Sequence, residues 1–83
     1  MNPALIQLIV TLAPYGVQVV LALIGLLQTL LDKGHEPSGL TAVTQYIIDG
    51  INEAHPDWAP EQRTQYAKDA IAVWANRHPP VPA

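Results

Sequence analysis

No charged side chain occurs before Asp32, although the chain is only 83 residues long. The opening third, including "LAPYGVQVVLALIGLLQTLLDKG" from Leu12 to Gly34, is almost entirely aliphatic. A domain of this size buries only about 60% of the surface its unfolded chain exposes, so a large self-sufficient core is not expected. The chain therefore reads as two materials joined end to end, an oily N-terminal part and a charged C-terminal part. The absence of Lys and Arg ahead of the apolar run and its length argue against a cleaved secretory signal. With no cysteine, disulfides, thiolate metal sites and a cysteine nucleophile are excluded. A net charge of −3 with four scattered Lys and Arg gives no basic patch, which excludes an electrostatic nucleic-acid binder.

Ala4–Leu31 reads as helix punctuated at Pro14 and Gly16, with Pro14 kinking its first third. Lys33 in the last turn and Gly34 at C′ end it. "KGHEPSG" then breaks the chain, and Ser38 is placed to cap a second helix. Leu40, Val43, Ile47, Ile48 and Ile51 share one face of that helix. "AHPDWAPEQ" is a second break, after which a third helix runs from about Pro60 to Arg77 with Tyr66, Ala67, Ala70, Ile71 and Trp74 as its apolar stripe. "HPPVPA" stops it. The expected fold is all-α: one long apolar N-terminal helix followed by a C-terminal αα-hairpin. Residues 1–33 are the apolar helix, 34–39 a turn, 40–78 the amphipathic hairpin and 79–83 a Pro-rich tail. The hairpin core is expected at Leu40, Val43, Ile47, Ile51, Tyr66, Ala70, Ile71 and Trp74.

Three surroundings compete for the apolar helix: a bilayer, the centre of an oligomer or virion-type bundle, and a membrane surface. As one helix, Ala4–Leu31 would extend roughly 42 Å, beyond the roughly 30 Å hydrocarbon core of a bilayer. Its aliphatics then point in nearly every direction, and two short hairpin stripes could not cover Val19, Leu23, Leu26 and Leu30 as well as the remaining sides. At about −0.3 to −0.6 kcal/mol for each central aliphatic, insertion is favoured, so a transmembrane helix is the expectation. Its partners are a lipid bilayer or proteins covering the helix. The chain is expected to be a homo-oligomer or a subunit of a complex, located in the membrane or alternatively in a virion.

Polar and small groups line up at near-helical intervals: Gln7, Thr11 and Pro14, then Gln18, Ala22, Gly25 and Gln28. In lipid such a line of small groups and amides is a helix-contact face; tolerated polar residues near the span's ends and the lining of an aqueous path are the alternatives. Gln18, Ala22, Gly25 and Gln28 form the expected contact stripe, with Gln7, Thr11 and Pro14 as a secondary one.

Catalytic chemistry is not expected, and neither a metal, a cofactor nor a small-molecule substrate is called for. His35, His55 and His78 lie in turns or at a helix end, without a second ligand at i+4, and read as solvated. Ser38 reads as a cap, and Asp49 with Glu53 as a solvated helix face. Trp58 and Trp74 read as hairpin core, and the Pro79–Pro82 spacing as a helix stop.

With "LIQLIVTLAPYGVQVVLALIGLLQTLL" ahead of "TAVTQYIIDGI" and "QYAKDAIAVW", the layout resembles small bacteriophage membrane proteins of the holin type. The resemblance implies an inner-membrane protein that oligomerises through its span and permeabilises the membrane. The chain departs from that pattern in its C-terminal part, which is acidic and closes on prolines where a basic tail would be expected. A structural or accessory subunit of a larger assembly and an oligomeric interaction protein are the alternatives.

Overall fold

The computed structural model describes residues 3–80, the side chain of Ala4 apart. The described residues are all-α but form four α-helices: α1 (Pro3–Leu12), α2 (Val17–Asp32), α3 (Pro37–Ala54) and α4 (Pro60–Arg77), with a 3₁₀ turn at Ala13–Tyr15. The single long N-terminal helix of the sequence reading is absent. Pro14 supplies no N–H and crowds the preceding turn, which alone would leave a kink. Two residues later Gly16 takes φ 106° and ψ 159°, a conformation only glycine adopts readily, and the chain leaves the helix altogether. The Gly16 carbonyl then accepts from Val20 N–H at 3.2 Å and starts α2 on a new axis.

The break changes which environment suits this segment. α2 has 16 residues, about 24 Å at 1.5 Å per residue. Among the described residues, no helix is long and apolar enough to cross a membrane. The expected transmembrane helix is therefore corrected to two shorter helices that pack on each other and on the rest of the chain.

Each helix buries one stripe. Leu5, Leu8 and Leu12 face inward from α1, and Val19, Leu23, Leu27 and Leu30 from α2. α3 contributes Leu40, Thr44, Ile48 and Ile51, and α4 contributes Thr64, Ala67, Ile71 and Ala75. The spacings of three, four, seven, eight and eleven residues are those of one helical face. Helix α1 packs on α2 and α3, and α4 packs on α2 and α3, so α1 and α4 stand diagonally across a common core. A Cα radius of gyration of 12.3 Å is close to the roughly 12 Å of a compact chain of this length.

The chain thus shelters what it was expected to leave bare. Val19, Leu23 and Leu30 are buried and Leu26 is half-buried. The hairpin core is corrected in detail. Leu40, Ile51 and Ile71 are buried, while Val43, Ile47, Ala70 and Trp74 are half-buried and Tyr66 is exposed. The α3 stripe is turned toward Thr44, whose hydroxyl donates to Leu40 O at 2.6 Å, and Thr64 does the same to Pro60 O at 2.7 Å. Satisfied within its own helix, a threonine packs as a small apolar residue.

The connections follow from local chemistry. At the end of α2, Gly34 at φ 100° donates to Leu31 O at 2.9 Å and His35 N–H to Leu30 O at 3.1 Å, a Schellman motif. Helix α3 starts at Pro37, with Glu36 in the cap position, so Ser38 lies inside the first turn and is not the cap. Proline fits there because its missing N–H is one that the first turn leaves unpaired anyway. In the α3–α4 turn, His55 stacks on Trp58 at 3.9 Å, and Trp58 meets the edge of Tyr66 at 5.6 Å. Gln62 reaches back to accept from Ala59 N–H at 3.1 Å, half of a capping box.

Candidate interaction surface

The four residues of the expected contact stripe sit together on α2, on the side turned away from the core. Gln18, Gly25 and Gln28 are exposed, and Ala22 is half-buried. Val17 and Leu21, one turn apart on the same side, are 74% and 64% exposed. An aliphatic pair this open, beside a glycine whose Cβ position would meet nothing within 4 Å, is an apolar face that no other part of the described chain covers. Thr29 continues it and turns its hydroxyl back to Gly25 O at 3.1 Å. The face carries no charge before Asp32.

The secondary stripe does not continue this line. Gln7, Thr11 and Pro14 aligned with the α2 residues only if the helix were unbroken. In the structure Gln7 and Thr11 border a groove between α1 and α3 with Leu8, Thr41, Ala42 and Gln45. Pro14 is exposed in the 3₁₀ turn. Ile6 and Val10 are exposed on α1, again one turn apart.

A polar cluster ties the helices together on another side. Asn52 Nδ2 donates to the Tyr15 hydroxyl, Arg63 Nη1 donates to Asn52 Oδ1 at 3.3 Å, and Arg63 Nη2 donates to Pro56 O at 2.7 Å. The guanidinium also lies 5.7 Å from the Tyr15 ring centroid. The cluster links the break after α1 to α3 and α4, so it holds Gly16, and with it the start of α2, in place. The hollow behind it is walled by Leu12, Val19, Leu23, Ile48 and Ala67 and has about 20 Å³ of room. That admits a single water and no organic substrate. Among the described residues, no three His, Asp or Glu stand close enough to share a metal ion.

His78 is exposed as expected, but His35 and His55 are half-buried and not freely solvated. His35 places Nδ1 3.1 Å from Leu30 O, and its Nε2 is buried without a partner. His78 stacks on Trp74 at 4.8 Å, and His35 stands 6.3 Å from the other partner of that stack, the Trp74 ring. Trp58 and Trp74 are both half-buried and pack against the core.

Sequence reasoning missed the exposure of Val17 and Leu21, which followed from treating α1 and α2 as one cylinder. It also missed the Tyr15, Asn52 and Arg63 cluster, whose members are far apart in sequence and carry no common spacing. Tyr46 had a readable signal: it lies about 100° or more around α3 from Leu40, Ile47, Ile48 and Ile51. No protein-family model, no curated protein and no solved structure matches the chain.

Proposed function

We propose that this protein is a non-catalytic association module whose working surface is the outward face of α2, docking against the same face of a second copy. The observation that carries the reading is the open pair Val17 and Leu21 beside Gln18, Ala22, Gly25 and Gln28. Contiguous exposed aliphatics mark interaction surfaces, and small residues let two helix backbones approach closely. Charge supports pairing of like copies. The net charge of −3 resides wholly at or after Asp32, the last residue of α2, so contact over Val17–Gln28 brings two copies together without a carboxylate in the patch.

The test is sedimentation equilibrium of the purified protein over a wide concentration range, with Leu21→Glu and Gly25→Leu beside it. The wild type self-associates, and Leu21→Glu is monomeric with an unchanged melting temperature because the side chain touches little within its own protomer. Gly25→Leu separates the two roles of that position. Within one chain the added side chain has open space, and loss of helix glycine stabilises by about 0.5–1 kcal/mol. Between chains it holds the backbones apart, so association weakens while the monomer gains stability. A wild type that stays monomeric, or a Leu21→Glu variant that assembles as well as the parent, overturns the proposal.

A further inference from the structure

Between α3 and α4 runs a surface groove of about 460 Å³ that shares no residue with the outward face of α2. Its floor is small and apolar, formed by Ile47, Gly50, Ala54 and Ala70. Tyr46 and Tyr66 stand on its two walls and are 79% and 51% exposed. Burial does not explain an aromatic held so far out, because the inward stripe of α3 is Leu40, Thr44, Ile48 and Ile51. Asp49 and Glu53 continue the Tyr46 wall, and His55 closes one end. Beyond Tyr66 a second hollow of about 300 Å³ adds Trp58 and Asp69.

Among Asp, Glu, Lys and Arg, the groove itself is lined by carboxylates alone, Asp49 and Glu53. α3 contains no Lys or Arg. Arg63 is committed to Asn52 and Pro56, Lys68 is about 200° around α4 from Tyr66, and Arg77 stands in the last turn, roughly 16 Å along the helix from Tyr66 and outside the groove. Asp49 and Asp69 bond to the neutral Gln45 and Gln65, at 2.8 Å and 3.0 Å. Phenol faces and carboxylates around an apolar floor are the chemistry that recognises guanidinium groups on an apolar helix, by stacking, by charge-assisted hydrogen bonds and by burial. A second copy fits less well, because its α1 and α2 bring no cation, its α3 brings only carboxylates, and on its α4 Arg63 is committed within its own protomer while Lys68 and Arg77 lie about 180° apart around the helix.

We propose that the α3–α4 groove binds an arginine-bearing amphipathic helix of a partner protein. Tyr46 and Tyr66 grip the guanidinium groups, Asp49 and Glu53 neutralise them, and the Gly50–Ala54 floor admits the helix. The probe is a short amidated peptide of alanine and leucine with arginines along one face, titrated into isotope-labelled protein and followed by backbone amide shifts. Shifts are expected at Tyr46, Gly50, Ala54, Tyr66 and Ala70, and they weaken as salt rises. Asp49→Asn with Glu53→Gln lowers affinity about 2- to 30-fold, the range for losing two surface ion pairs. The lysine version of the peptide binds more weakly than the arginine version because it stacks poorly on phenol rings. Tyr46→Ser weakens binding of the arginine peptide without altering the melting temperature. Four results would each overturn the proposal: no shifts at millimolar peptide, shifts confined to α2, equal binding of a glutamate version, or groove shifts with protein concentration alone, which would make the occupant a second copy.

Discussion

Leu27→Ala lowers the free energy of unfolding by about 2–5 kcal/mol, the usual cost of truncating a fully enclosed leucine. Leu27 is 0% exposed, at the middle of the inward stripe of α2 where that helix meets α1 and α4. Part of the cost is lost transfer free energy, and part is the cavity that the surrounding leucines fill only incompletely. Total stability for 83 residues should be of order 4–12 kcal/mol at about 0.05–0.15 kcal/mol per residue, so the variant loses a large share. The control is Leu21→Ala, six residues earlier on the exposed side, where the change stays within about 0.5 kcal/mol. Urea titration followed by circular dichroism measures both, in dilute solution where association does not contribute. Equal costs at the two positions would contradict the four-helix arrangement, because only a helix surrounded evenly on all sides treats them alike.

Gly16→Ala costs about 1–3 kcal/mol, for a different reason. A Cβ at position 16 would meet nothing within 4 Å, so packing offers no objection. The penalty lies in the backbone, because φ 106° with ψ 159° brings a Cβ into conflict with the residue's own peptide groups. The variant can relieve that conflict only by moving Gly16 toward helical angles. That would draw α1 and α2 toward one axis and pull Leu5, Leu8 and Leu12 away from α3. Gly25→Ala has the opposite sign, a gain of about 0.5–1 kcal/mol, since position 25 is an ordinary helical site with open space around it. Opposite signs for two glycine-to-alanine changes nine residues apart, read as midpoint shifts in the same titration, test the break directly. A Gly16→Ala variant as stable as the parent would remove the physical basis for it.

These two positions show where sequence reasoning worked and where it stopped. The bounds of α4 were legible because they depend on near neighbours: Pro60 suits a first helical position, Glu61 the first turn and Arg77 the last. Gly34 was legible as the residue ending α2 for the same reason, since a Schellman motif closes within a few residues. The start of α3 was misplaced by two residues, with the cap at Glu36 and not Ser38, because Ser38 and Pro37 both suit a helix entry, and the fixed φ of proline prevailed. Pro14 and Gly16 were recognised as punctuation, yet their joint effect was read as a kink. The break needs Gly16 at positive φ, and what rewards that geometry is remote: burial of α1 on α3, and Asn52 and Arg63 gathered around Tyr15.

The amino-acid order alone determined that the protein is helical, where α2 ends, where α4 begins and ends, and that its charge is confined to the part after Leu31. Those properties depend on backbone preferences and on composition, which act over a turn or two of chain. The tertiary structure alone decided how an aliphatic segment that looked too oily for its own chain to cover would be covered. Once the segment is folded in two, each half needs shelter on one side only, and α3 and α4 together supply it. The same folding selects which aliphatics remain outside, leaving Val17 and Leu21 on the open face of α2, because the direction a side chain takes is set by the helices packed behind it.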